Sequence, residues 1–353
     1  MKIGLLLPQT GVDATQGTDA ARGVELYFRT AHARPVQLVK ADDQAKPEIA
    51  LAKLRQLVEG ERVDFLIGPI SSAVALAIRD YVHEQGVPLL VPAAFTRVLT
   101  SPQHASPNIF RLSETTDQAN YPMGAWLMRN TPYRRMLVMA ADFAGGRHSV
   151  EAFMAGFRAA GGAITGEIYP PFDTSDFKPY LREAAALGGD AVYAWFAGAD
   201  AIRFVQQYRQ AELTLPLTGH SALTADTILP RMGDAALGIV SVGAYSPALE
   251  SPENRRFVRD YEDAYGSWPS RYSECGWTAA ALIDTARVHA ALKDALPKIS
   301  PPRGPMRFDD YRQAITPIYV TRVDKNRGRI ANTVIDALPA VAQEATWGWW
   351  NRS

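Results

Sequence analysis

Phe65-Leu66-Ile67-Gly68-Pro69-Ile70-Ser71-Ser72-Ala73 is the stretch that decides the fold. Its first three residues form an apolar run too short for a helix, Gly68-Pro69 breaks the chain, and Ser71 and Ser72 stand where the amphipathic segment 73–84 begins. A strand buried on both faces, a turn and a helix start, in that order, are one unit of a parallel α/β sheet. In such sheets ligands sit beyond the carboxyl ends of the strands, where N–H groups and the helix dipole favour an anion. One serine can cap the helix while the other donates to a ligand carboxylate, or both can be caps; spacing alone leaves the two readings open.

The same grammar repeats on either side. Apolar runs occur at Val36-Gln37-Leu38-Val39, Pro88-Leu89-Leu90-Val91, Met136-Leu137-Val138-Met139, Ala191-Val192-Tyr193-Ala194 and Gly238-Ile239-Val240-Ser241-Val242, with helical patterns at 20–31, 47–59, 149–160 and 199–211. Because 353 residues exceed one ordinary core, the expected fold is α/β in two doubly wound, Rossmann-like lobes. Polar, proline-bearing segments at 100–107 and 246–253, with a third near 314–317, read as the crossings of a three-segment hinge. They place 1–118 with 249–316 in a first lobe and 119–248 with 317–353 in a second, with the ligand cleft expected between the lobes. Runs at 318–323 and 330–335 flank the turn-forming Asn326-Arg327-Gly328 and read as a hairpin added to the second lobe.

Composition narrows the function. The chain is 47% hydrophobic and 21% charged, as a globular protein is, and no apolar run reaches the ~20 residues that span a bilayer. Lys plus Arg and Asp plus Glu balance at 37 each, which leaves no electrostatic footprint for nucleic acid. Cys275 is the only cysteine, so neither an intramolecular disulfide nor a multi-cysteine metal site is expected. The sequence lacks a Walker A run, a Gly-x-Ser-x-Gly elbow and His-Glu-x-x-His, and Gly219-His220-Ser221-Ala222-Leu223 falls short of the elbow. No catalytic residue, metal or cofactor is therefore expected. Lys2-Ile3-Gly4-Leu5-Leu6-Leu7 reads as a strand without a basic leader, which suits a cytosolic chain or the mature form of an exported one.

A second strand, Val87-Pro88-Leu89-Leu90-Val91, runs into Pro92-Ala93-Ala94-Phe95-Thr96, whose small residues let a ligand approach backbone N–H groups. Phe95 can be a ring wall there, although an apolar aromatic at a strand end is as readily core. Further turns are Gln9-Thr10-Gly11, Ala141-Asp142-Phe143-Ala144-Gly145-Gly146-Arg147 and Asp176-Phe177-Lys178-Pro179-Tyr180-Leu181, followed by Asp190-Ala191-Val192-Tyr193 and by segment 261–266 ahead of a long helix. In this order and spacing they resemble the leucine/isoleucine/valine-binding family of ABC-importer receptors, periplasmic binding proteins of type I, over nearly the whole chain. The resemblance implies a periplasmic, monomeric receptor that closes on a small molecule and hands it to permease subunits.

In the amino-acid binders of that family, the resemblance implies, the ligand's carboxylate meets a serine and a threonine hydroxyl with nearby amides, and an acidic side chain holds the α-ammonium. Here Ser72 matches the serine, Phe95 replaces the threonine, and Ser221 in Thr218-Gly219-His220-Ser221 stands at the acidic position. An ammonium buried without a counter-charge costs several kcal/mol, which argues against an α-amino acid. Aromatic side chains stand at the expected cleft turns instead: Phe95 in one lobe, Phe143, Trp195 and Phe196 in the other, and Tyr245 near a crossing. This variant looks like the aromatic-acid-binding branch of the family, as does Tyr311-Arg312-Gln313-Ala314-Ile315-Thr316, and the expected ligand is a benzoate- or phenylpropanoid-type carboxylate. About ten heavy atoms at up to ~1.5 kcal/mol each exceed the ~8 kcal/mol of micromolar binding.

Gln16, Ile70, Ser71, Ala93, Ala94 and Ala197 complete the contact set that the resemblance implies. Arg147 can pair with the carboxylate or be a solvated first-turn arginine. His220 can bond a ring hydroxyl or be structural. Trp277, Trp347, Trp349 and Trp350 read as packing or surface residues. Two alternatives stay open: a branched-chain or hydrophobic amino-acid or amide binder, favoured if Asp142 or Asp200 faces the ligand, and a cytosolic ligand sensor of the same fold.

Overall fold

The computed structural model describes residues 1–31, 34–211, 213–326 and 328–350. Arg327 of the expected hairpin turn and the side chains of Trp349 and Trp350 lie outside the described residues. The chain divides into two compact units, Met1–Thr115 with Glu250–Pro317 and Thr116–Leu249 with Ile318–Ser353. Residues 116–118, read from sequence as the end of the first lobe, belong to the second unit, because they open the helix Thr116–Asn130 that packs on the helix Ala144–Ala159. Leu249 and Pro317 likewise fall on the other side of their crossings.

In the first unit, β1 (Lys2–Leu6), β2 (Gln37–Ala41), β3 (Phe65–Ile67), β4 (Leu89–Val91) and β5 (Ile109–Arg111) form a parallel sheet in the order β2-β1-β3-β4-β5. Every residue of β3, β4 and β5 is buried, the condition under which parallel strands show no alternation. Only glycine fits at Gly68, where φ is +135° and a Cβ would stand 1.9 Å from the Leu6 carbonyl oxygen.

The second unit carries β6 (Arg135–Ala140), β7 (Ala163–Ile168), β8 (Ala191–Trp195), β9 (Leu217–His220) and β10 (Val240–Gly243). The chain returns to the first unit for the short pair β11 (Arg307–Phe308) and β12 (Ala314–Ile315), then ends in the second with β13 (Ile318–Asn326) and β14 (Arg329–Leu338). The second sheet runs β14-β13-β10-β9-β8-β6-β7, parallel except where the terminal hairpin joins it antiparallel. Strand β7 has no counterpart among the apolar runs of the sequence, because it sits at the sheet edge and only Ile168 of its six residues is buried.

The helices Ala14–Thr30 and Arg271–Ala286 cross at glycines in the first unit. A Cβ on Gly276 would lie 2.1 Å from the Ala20 carbonyl oxygen, and one on Gly23 would lie 1.9 Å from that of Ser273. Backbone atoms cannot yield as a side chain can, so Gly276→Ala is expected to lower unfolding free energy by ~1–3 kcal/mol in urea titration. A wild-type midpoint would show that the helices do not approach this closely.

Candidate ligand-binding site

Strands β3 and β4 are parallel neighbours, so the turns that follow them meet at one edge of the first sheet. The Ala94 N–H donates to the Ile70 carbonyl at 2.9 Å, and the Thr96 N–H donates to Ser72 Oγ at 3.3 Å. Ser72 thus spends a lone pair on the turn and keeps its hydroxyl proton for another acceptor. Ser71 holds the N-cap position of the helix Ser72–Gln85 but makes no side-chain cap bond, so the reading of both serines as caps falls. Ile70, Ala93 and Ala94, expected as contacts, bury their side chains in the core and leave only main-chain atoms to the turn. Ala94 takes the left-handed conformation at φ +61°, and the following Phe95 N–H makes no hydrogen bond among the described residues. Gln16 is half-buried in the first turn of Ala14–Thr30.

Phe95 is half-buried beneath a cation that the sequence reading missed. The Arg271 guanidinium stands 4.4 Å over its ring and pairs with the fully buried Glu114 carboxylate. Arg271 opens its helix behind a reciprocal capping box of Ser270 and Ser273, a spacing legible in Ser270-Arg271-Tyr272-Ser273.

In the second unit Phe143 follows β6 and Trp195 ends β8, with ring centroids 5.3 Å apart edge to face. Phe172 extends the cluster at 5.5 Å from Phe143. Phe143 and Phe172 are 38% and 65% exposed, whereas Trp195 Nε1 is buried and makes no hydrogen bond among the described residues. Phe172 escaped notice because it lies in the aperiodic loop after Pro170-Pro171. Phe196 requires a correction. Its ring is fully buried against Phe177 and Phe204, at 5.3 and 4.3 Å, and belongs to the core.

Arg147 is part-exposed near the start of its helix and engaged locally. Its Nε donates to Asp142 Oδ1 at 2.6 Å, and its guanidinium lies 4.0 Å over the Tyr169 ring. The hydrogen bond from Arg147 holds the Asp142 carboxyl below the usual carboxylate range. Asp200 is bound by Arg203 and accepts the Asp173 N–H at 2.9 Å. His220 Nδ1 accepts the Ala222 N–H at 3.1 Å, which assigns the proton of the neutral ring to Nε2. Ser221 is half-buried, with its N–H on the Val242 carbonyl; Tyr245 is buried and Ala197 is exposed ahead of the helix Gly198–Gln210. Among the described residues no group of His, Cys, Asp and Glu can hold a metal ion, and no helix is long and apolar enough to cross a membrane.

The profile of the periplasmic binding protein family matches residues 1–329. The chain belongs to that family. Leu/Ile/Val-binding protein homolog 6 of Brucella melitensis is 29% identical over 349 residues, covering 92% of this chain and 88% of its own. An ABC transporter substrate-binding protein from Sphaerobacter thermophilus superposes with a TM-score of 0.91 at 33% identity, covering 96% and 98% of the two chains. A solute-binding protein of an ABC transporter from R. palustris, solved in complex with benzoate, superposes with a TM-score of 0.87 at 30% identity, covering 98% of each.

The first sheet has a turn after β1, and Asp42 anchors it. Its carboxylate accepts the Gln9 and Thr10 N–H groups at 2.8 and 3.3 Å and the Thr10 hydroxyl at 2.7 Å. Burial raises its pKa, but these bonds outweigh that and hold the carboxyl below its ordinary value. Asp43 beside it is fully buried, with Oδ2 unpartnered among the described residues, and burial, reinforced by Asp42 and Asp13, pushes its carboxyl up to about 6. A raised folded-state value means that ionised Asp43 opposes folding, weakly near pH 4 and fully above pH 6. Asp43→Asn is therefore expected to gain up to ~3 kcal/mol of stability at pH 7.5, a gain that shrinks as pH falls from 6 towards 4. Thermal melts across that range check this, and a pH-independent difference would contradict it.

Proposed function

We propose that the protein is the solute-binding receptor of an ABC importer that takes a small aromatic carboxylate, of benzoate or phenylpropanoid type, in the periplasm and presents it as a monomer to the permease. The choice of ligand rests on one observation. The second unit offers the rings of Phe143, Phe172 and Trp195, while Asp142 and Asp200, the acids near them in sequence, are each bound by an arginine. A flat ring gains from edge and face contacts with such a cluster, whereas an α-ammonium needs an anion that is not already paired. The first unit supplies what the carboxylate needs: the Ser72 hydroxyl proton and the Phe95 N–H. The benzoate-bound relative from R. palustris supports this reading.

A branched-chain amino acid is the second reading, favoured by the Brucella relative's name.

A thermal-shift panel of benzoate, hydroxybenzoates, cinnamates, leucine, valine and short amides separates the two. At 100 times its Kd a ligand adds ~2.7 kcal/mol of stability, and aromatic acids alone are expected to give the shift. Stabilisation by leucine or valine would overturn the aromatic assignment. Ser72→Ala and Phe95→Ala are each expected to weaken aromatic-acid binding by ~1 kcal/mol or more in calorimetric titration. Unchanged affinity in both would remove the carboxylate from this turn.

A further inference from the structure

We propose that Arg111, wholly buried behind the turn that carries Phe95, is a positioning residue that makes this turn select a carboxylate over its neutral amide. The inference rests on the reading of Ser72 and Phe95 as the carboxylate half-site. Arg111 ends β5, and its guanidinium donates to the Ala94 carbonyl at 2.9 Å, to the Thr96 carbonyl, to Thr100 Oγ1 and to Gln313 Oε1. The neighbouring Ala93 carbonyl accepts the Ser113 hydroxyl at 2.9 Å. The carbonyls of Ala93, Ala94 and Thr96 are thus all drawn onto side chains of β5 or of the residues just after it.

Peptide planarity converts this into a property of the site. In a trans peptide the C=O and the next N–H point in opposite directions, so an Ala94 carbonyl aimed at Arg111 aims the Phe95 N–H away from it. The Ala93 carbonyl in the same way fixes the Ala94 N–H, which is spent on Ile70. Arg111 therefore removes carbonyl oxygens from the surface that a carboxylate would approach, leaves a donor on it, and sets a positive charge behind that donor. Gln313 braces the guanidinium: its Nε2 donates to the Ser113 and Ala314 carbonyls at 2.7 and 3.0 Å, which turns Oε1 towards Arg111. The Ala94 and Thr96 carbonyls both accept from Nη1, and a lysine at 111 would keep the charge but lose the Nε and Nη2 donors whose bonds to Gln313 and Thr100 hold Nη1 in place.

Calorimetric titration of wild-type protein, Arg111→Lys and Gln313→Glu with benzoate and benzamide tests the role, with circular dichroism to confirm folding. The readout is the acid-over-amide affinity ratio, which a purely structural residue would leave unchanged. The ratio is expected to fall about tenfold or more in Arg111→Lys, through loss of donor geometry, and in Gln313→Glu, where a new carboxylate offsets the buried charge. If Arg111→Lys does not fold, Gln313→Glu decides alone. Equal losses for acid and amide, or none, would overturn the positioning role and leave the aromatic receptor standing. Binding of leucine in place of benzoate would overturn the aromatic assignment only, and the ratio would then be read on leucine against leucinamide. Wild-type protein that binds none of these overturns both.

Discussion

The 2.9 Å hydrogen bond from the Ala94 N–H to the Ile70 carbonyl ties the exits of two neighbouring parallel strands together, and the first-unit site depends on it. Parallel pairing of β3 with β4 brings both exits to one sheet edge; the bond then fixes their relative height. With that fixed, Ser72 lies within reach of the Thr96 N–H, the Phe95 ring lies beneath Arg271, and the Ala94 carbonyl faces Arg111. Each of these contacts uses a main-chain atom of the 93–96 turn or the ring it carries. The proposed anion site would thus rest on hydrogen-bond accounting among main-chain groups of an α/β sheet.

In the second unit the deciding constraint is side-chain alternation at the end of β8. Trp195 and Phe196 are adjacent, so they point to opposite sides of the sheet: one joins the Phe143 and Phe172 rings, the other packs into the core with Phe177 and Phe204. Arginines settle the electrostatics nearby. Arg147 pairs with Asp142, and Arg203 bridges Asp200 and the exposed Asp173, so the buried Asp200 carboxylate is already engaged.

Much of the fold is legible in the sequence because parallel strands buried on both faces write themselves as short apolar runs, as in β3, β4, β6 and β8. Strand β7 is not legible, since an exposed edge strand needs no such run, and the boundary at 116–118 is displaced because a helix start reads like a linker. The site is less legible for a different reason. Ser72, Phe95, Phe143 and Trp195 can be named because they sit beside readable strand ends. Periodicity assigns Trp195 and Phe196 to one aromatic pair and cannot say which of the two faces the core. Arg111, Arg271, Glu114 and Gln313 are brought together from segments up to 202 residues apart, as Arg111 and Gln313 are, and no local pattern announces such a meeting.

The structure of the protein with benzoate bound tests the central claim most directly. The account predicts a carboxylate oxygen within hydrogen-bond distance of Ser72 Oγ and the Phe95 N–H. A carboxylate seated instead on Arg147 would contradict it.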